Sequence, residues 1–412
     1  MRIGRYDNPY KCVSYAALDP AVRQEPVALE AADGGLSSGI LYTTGRHRTV
    51  VCFMHPKADM GRHYAKPTLL QAGYATFGQN SRWLNNDESC VHEVLLLDVA
   101  AGMRFLRQRG FEHIVLTGNS GGGSLYTFYQ AQASTAPPRR LTHTAAGDSF
   151  DLNRYDLLPA DGLIHLAAHL GEGKILQQMI DPSVMDEADP LSCDPALDPF
   201  DPANGYRQPP ESSRYGPEFV TRYREAQRVR VQRLDALARA HLRQRDEARR
   251  ASKAGDTGMS TVRRAVWGGY MVVYRTEADL RAFDLSLDPS ERDAGSLFSY
   301  RPDLTNYMEF GFGRVCTPRA WLSTWSGLSS NADVVKNAAM VTIPSLVLYY
   351  RGDNGIFPAD ARAAFEALAA SDKQLASAPG DHYGFGVGTQ QRIGAPHALA
   401  QVVAWLRERF VP

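Results

Sequence analysis

Three residues of this 412-residue chain have the types and surroundings to do chemistry together: Ser120, Asp353 and His382. Ser120 lies at the centre of Gly118-Asn119-Ser120-Gly121-Gly122, directly after the apolar run His113-Ile114-Val115-Leu116-Thr117. That pattern reads as a buried strand, a sharp turn and the start of a helix, with the serine at the apex. A serine on such a turn takes a strained backbone conformation, and its neighbours two positions away on each side are too crowded for a Cβ. The turn lifts the hydroxyl clear and aims the first N–H groups of the next helix at whatever the serine attacks. A serine hydroxyl is a poor nucleophile at neutral pH and needs a base, itself oriented by an acid. Asp353, in Arg351-Gly352-Asp353-Asn354-Gly355, and His382, in Gly380-Asp381-His382-Tyr383, each follow a strand-like segment and supply those two roles. The chemistry would be attack on a carbonyl carbon.

Competing readings of these residues are weaker. A phosphate-binding loop would need a lysine that Gly121-Gly122-Gly123-Ser124-Leu125 lacks, and the spacing of a dinucleotide-binding turn is absent. Gly352-Asp353-Asn354-Gly355 is also good turn sequence in any protein. Asp381 is a rival acid, but it adjoins His382, and neighbouring side chains in an extended loop diverge; Asp353 is therefore favoured.

The elements that must position these residues alternate. Strands are expected at 26–30, 39–43, 49–54, 74–77, 113–117 and 162–168, with helices at 64–70, 87–109 and 121–133. After 168 the alternation stops. It resumes with a strand at 343–350, a helix at 358–370, a strand at 373–378 and a helix at 397–410. Continuous apolar runs such as Thr49-Val50-Val51-Cys52-Phe53-Met54 suit strands buried on both faces. The fold class expected is α/β: a mostly parallel sheet with helices on both faces. The expected divisions are a first core part at 1–169, an insertion at 170–338 and a second core part at 339–412.

Composition narrows the class. With 45 basic and 45 acidic residues the formal net charge is zero, which argues against a nucleic-acid binder. Hydrophobic content of 44% and charged content of 22% suit a globular enzyme. The N-terminal residues show no apolar leader segment, and no run of some 18 apolar residues predicts a membrane span. The five cysteines are scattered without a C-x-x-C pair, so neither a zinc site nor a disulfide framework is implied, and a reducing cytoplasm is expected.

Serine, acid and histidine in that order, each after its own strand, resemble the α/β-hydrolase superfamily, over about 26–168 and 339–412. The resemblance implies a serine hydrolase of the carboxylesterase kind, working through an acyl-enzyme without cofactor or metal. It also implies a large, mainly helical cap at 170–338. An oxyanion hole would take the N–H of Gly121 and a second donor from the loop after strand 49–54. Where that superfamily usually has His-Gly, this loop reads His55-Pro56-Lys57-Ala58. Pro56 has no N–H, which makes Lys57 N–H the expected donor, with Ala58 next. The substrate implied is a small-molecule ester with a bulky or aromatic group. Lactone, amide, thioester or carbon–carbon hydrolysis, acyl transfer, and a silent binding module all stay open, since fold does not choose among them.

Around this frame, His55 and Arg82, in loops at the expected active edge, are candidate substrate-binding residues, with Arg82 meeting an anionic substrate group or bracing its loop. Tyr300, Tyr307, Phe310, Phe312, Trp321 and Trp325 could line a substrate pocket or form the core of the insertion. Six aspartates between Asp181 and Asp201 read as turn and cap residues in preference to a calcium loop. The Arg-rich helix at 219–250 reads as a solvated or oligomer-facing face, which leaves a homodimer through the cap open.

Overall fold

The computed structural model describes residues 18–86, 88–309, 311–389 and 391–412. Its strands are β1 (Arg23–Glu30), β2 (Leu36–Thr43), β3 (Thr49–Met54), β4 (Ala75–Asn80), β5 (His113–Asn119), β6 (Gly162–Leu166), β7 (Met271–Val272), β8 (Val315–Cys316), β9 (Ser345–Tyr350) and β10 (Lys373–Ala378). Eight of them form one sheet in the order β1-β2-β4-β3-β5-β6-β9-β10. The β1–β2 and β2–β4 pairs are antiparallel; β4, β3, β5, β6, β9 and β10 run parallel to one another. All residues of β3 and β6 are buried, as continuous apolar runs between two helical layers must be.

The main helices before the insertion are α1 (Lys66–Gln71), α2 (His92–Gln108) and α3 (Gly121–Ser134). On one face of the sheet, Leu95, Leu96, Val99 and Met103 of α2 and Leu125, Tyr126 and Phe128 of α3 pack over Val50, Ile114 and Leu163. The other face is covered by Leu69 of α1 and by Leu399, Val402, Trp405 and Leu406 of the closing helix Gly394–Arg409. Helix α2 ends where Gly110 takes φ +85°, the left-handed conformation that glycine adopts cheaply at a helix C-terminus.

β6 and β9 pair directly, Leu163 opposite Ser345, so the chain leaves the sheet after β6 and returns to the adjacent position. β6 ends at Leu166, earlier than the expected 168, because Ala167 turns the chain with φ +46°. The intervening segment holds α4 (Glu172–Met179), α5 (Pro217–Lys253) and α6 (Met259–Val266). Around them lie the β7–β8 ribbon, one-turn helices and irregular chain. The 37-residue α5 carries most of its helix. The buried residues of α5 recur every three or four positions, from Phe219 and Tyr223 to Leu234, Ala238 and Leu242. Arginines of α5 pair within the segment: buried Arg230 and part-exposed Arg233 with Glu187, and Arg224 with Asp279. The aspartates at 181, 186, 189, 194, 198 and 201 each accept a hydrogen bond from the N–H two residues on, which is Asx-turn chemistry. No described helix is long and apolar enough to cross a membrane.

Candidate active site

Ser120 occupies the turn between β5 and α3 with φ +53° and ψ −123°, a conformation that costs a non-glycine residue roughly 1–3 kcal/mol. The turn is held on both sides: Ser120 N–H donates to Ala167 O at 3.0 Å and Gly123 N–H to Ser120 O at 3.1 Å. The glycines two positions away are required sterically. A Cβ on Gly118 would lie 2.4 Å from the Gly123 backbone, and one on Gly122 would lie 2.3 Å from Met54 O.

Asp353 follows β9 and His382 follows β10, and the structure brings both to the serine. His382 Nε2 lies 3.2 Å from Ser120 Oγ, and His382 Nδ1 lies 2.7 Å from Asp353 Oδ2. The other carboxylate oxygen, Oδ1, accepts from the N–H groups of Gly355 at 2.7 Å and Ile356 at 3.0 Å. Two backbone donors and a ring donor fix this carboxylate, which is 1% exposed. Burial acts to lower the basicity of His382, but the charge and hydrogen bond of Asp353, with a contribution from Asp381, outweigh it and leave the pKa above the ordinary 6.5. Asp381 Oδ1 accepts from Tyr383 N at 3.0 Å and Phe385 N at 2.9 Å and so shapes the histidine loop.

The loop after β3 differs from expectation. Lys57 N–H points at the ring of His55, 3.2 Å from Nδ1, and Ala58 N–H points at the same atom at 3.1 Å. The ring folds back over its own loop because Pro56 offers no competing N–H. Lys57 Nζ instead lies 4.5 Å above the Trp325 ring and 5.2 Å above that of Phe312. Loop 81–86 clamps this segment, through Ser81 Oγ to Pro56 O at 2.6 Å and Asn85 N to Lys57 O at 2.8 Å. The N–H of Gly121 is the first of helix α3, a position without an intrahelical acceptor.

Beside Gly121 lies a cluster the sequence reading missed. Glu172, 1% exposed, has Oε1 at 3.8 Å from His55 Nε2 and Oε2 at 3.6 Å from His169 Nε2. Burial holds His55 well below its ordinary pKa, helped by Lys57, His169 and His92, and pushes His92 and His169 down to about 3. These imidazoles are neutral at neutral pH. His169 and Glu172 could have been found by the rule that located Asp353 and His382, since they follow the end of β6 at the same edge of the sheet.

The remaining candidates divide. Arg82 is spent within the core: it donates to Asp33 at 2.7 and 2.8 Å and, through Nε and its own N–H, to Asp98 at 2.8 and 2.9 Å. It braces its loop. Trp321 is 0% exposed in the core of the inserted segment, its Nε1–H donating to Asp235 at 2.8 Å. Trp325 belongs to that core too, and touches the loop after β3 through Lys57. Tyr307 is 43% exposed and accepts from Arg275 at 2.9 Å; Tyr300 is half-buried. Phe310 lies outside the described residues. An open depression of about 770 Å³ lies over β1 and β2, between Val27, Ile40, Asp59 and Arg62, with none of Ser120, Asp353 and His382 in its lining. Among the described residues no three His, Cys, Asp or Glu side chains are grouped to hold a metal ion, and the four described cysteines are free.

No family model matches the sequence, and no curated protein matches it. Solved structures do resemble the chain. The α/β hydrolase GrgF from Penicillium sp. sh18 superposes with a TM-score of 0.50 at 11% identity, over 94% of this chain and 99% of that one. A hypothetical protein from Pseudomonas aeruginosa superposes with a TM-score of 0.49 at 13% identity over all of both chains. An esterase from Thermogutta terrifontis does so at 0.42 and 14% identity, over 93% of this chain and 98% of the esterase. The strand order, the serine turn after β5 and the likeness to GrgF show that this chain has the α/β-hydrolase fold.

Proposed function

We propose that the protein is a serine hydrolase that cleaves a small-molecule carboxylic ester through an acyl-enzyme. The observation that carries the reading is the unbroken relay from Ser120 Oγ through His382 to Asp353, at 3.2 and 2.7 Å. Asp353 accepts a hydrogen bond from Nδ1–H of His382, which leaves Nε2 of the neutral ring as an acceptor facing the serine. As Ser120 attacks the carbonyl carbon, its proton passes to Nε2, and Asp353 stabilises the imidazolium that forms. The ring then returns the proton to the leaving alcohol. A water activated by the same nitrogen hydrolyses the acyl-enzyme. General-base catalysis of this kind contributes roughly 10²–10⁴-fold. The N–H of Gly121 supplies one donor to the oxyanion. The insertion that follows β6 borders the site through Glu172, next to His169 of the core, and acts as the cap over the bound ester.

The experiment is active-site labelling. A fluorophosphonate probe should label the wild type stoichiometrically and leave Ser120→Ala unlabelled, and p-nitrophenyl esters should be hydrolysed with a burst. A wild type that neither labels nor turns over any ester, lactone or thioester of a graded panel would remove the reading.

A further inference from the structure

The loop that should supply a second backbone donor has turned those donors inward. Lys57 N–H and Ala58 N–H both converge on His55 Nδ1, at 3.2 and 3.1 Å. That atom must therefore be the unprotonated nitrogen, and in a neutral ring the proton then sits on Nε2. The same logic applies to His169, whose Nδ1 accepts from Gly171 N–H at 3.2 Å, so its proton also sits on Nε2. The two protonated nitrogens thus lie 3.8 and 3.6 Å from the Glu172 carboxyl oxygens. Those separations exceed hydrogen-bond reach, so neither ring is hydrogen-bonded directly to the Glu172 carboxyl.

The position of that N–H gives it a use. A Cβ built on Gly121 would lie 2.9 Å from His55 Nε2 and 2.2 Å from Glu172 Oε1. His55 Nε2 and the Glu172 carboxyl therefore flank the residue that follows the nucleophile, in the space a side chain there would fill. We infer that the second oxyanion donor is the side-chain Nε2–H of His55, with Glu172 and His169 as positioning residues behind it. The backbone N–H groups of the loop act one step removed, by holding the ring in the donor tautomer. Burial keeps the ring from protonating, and a neutral imidazole is a competent electrophile in a dry site. The inference rests on the serine-hydrolase reading.

Isosteric substitutions test it. Asparagine places an oxygen near the Nδ1 position and can still accept from Lys57 N–H, but it lacks the Nε2–H. Glutamine places an amide N–H near the Nε2 position. His55→Asn should lower kcat by roughly 10²–10³-fold with KM little changed, whereas His55→Gln should stay within roughly tenfold of the wild type. Affinity for a trifluoromethyl ketone, whose adduct carries the same oxyanion, should fall in step with kcat. A His55→Asn enzyme that keeps the wild-type kcat overturns the inference, and so does equal loss in both variants at unchanged Tm. Should either variant fail to fold, ¹⁵N NMR of the wild-type ring decides directly: an unprotonated Nε2 rules the donor out, and a protonated Nε2 perturbed by the ketone supports it. Failure of the parent reading looks different, as a wild type that takes no fluorophosphonate.

Discussion

Replacing Asp353 by asparagine changes one atom and should nearly abolish turnover, for a reason visible in the hydrogen bonds. The N–H groups of Gly355 and Ile356 both point at Oδ1, and in the variant that position must remain an oxygen. The new amide nitrogen is then placed where Oδ2 was, 2.7 Å from His382 Nδ1. An NH₂ group there requires Nδ1 to accept, which moves the ring proton to Nε2. Nε2–H faces Ser120 Oγ and cannot take its proton. In serine proteases this tautomer change costs about 10⁴-fold in kcat, or about 5 kcal/mol of barrier at 1.36 kcal/mol per decade. The same cost is expected here. The control is Asp381→Asn: its Oδ1 accepts from Tyr383 and Phe385, an asparagine oxygen can do the same, and the loss should stay within roughly tenfold. The pH profile gives a second reading. Activity requires neutral His382, so kcat/KM of the wild type should fall as pH drops through a pKa above the ordinary 6.5. Removing the charge of Asp353 should move that limb down. Steady-state kinetics on a p-nitrophenyl ester, with Tm checked for each variant, would decide. A severe Asp381→Asn beside a mild Asp353→Asn refutes the assignment.

Other expectations follow from single contacts. Gly122→Ala forces a Cβ to 2.3 Å from the Met54 backbone oxygen, which cannot move aside, and should cost a few kcal/mol of stability; a variant with wild-type Tm contradicts the stated crowding. Trp321→Ala should cost roughly 3–5 kcal/mol, since the ring is fully buried in the insertion core and bonded to Asp235; denaturant titration measures it, and a loss below roughly 1 kcal/mol would put the ring in a yielding pocket. Acid should destabilise the protein steeply. The pKa values of His63, His92 and His169 are lowered by burial to about 3 and that of His165 to about 4, against 6.5 unfolded. Below pH 6.5 the unfolded chain binds protons these rings refuse, so stability is intact above that pH and is lost as pH falls towards 4, at up to roughly 5 kcal/mol per pH unit. A Tm that stays level from neutral pH to about pH 5 would exclude buried, neutral histidines.

The parts of this architecture legible in the sequence are those set by local pattern. β3 could be read from six consecutive apolar or β-branched residues, and the serine turn from glycines whose missing Cβ atoms are a local steric matter. Asp353 and His382 followed from one topological rule, that binding residues collect after parallel strands. His169 and Glu172 obey the same rule after β6, but without a motif of their own they looked like the start of the insertion. Arg82 could not be placed, because its partners Asp33 and Asp98 lie far away in the chain. Aromatic content alone could not tell a pocket from a core, and Trp321 proved to be core. The direction of the Lys57 N–H, towards His55 Nδ1, has a local origin. A histidine before a proline can fold its ring over the next two N–H groups, much as an aspartate does in an Asx-turn.

The insertion cannot be treated as a lid that is merely set over a finished site. Its first residues after β6 include Glu172, whose carboxyl fills the space next to Gly121. Its later residues grip the core from the other side: Thr324 Oγ1 lies 3.0 Å from His92 Nδ1, Ser323 Oγ donates to Glu93 at 2.5 Å, and the Trp325 ring carries Lys57 Nζ at 4.5 Å. Glu93, 0% exposed, also accepts from Ala145 N and from Asn331 of the insertion, at 3.0 and 2.8 Å. Buried polar contacts of this kind are costly to break singly, because each leaves a group without a partner in a dry interior. Residues 321–325 thus touch the loop after β3 at Lys57, two residues from His55. The space beside Gly121 and the seating of the insertion therefore share residues: Glu172 on one side, and Lys57 against Trp325 on the other.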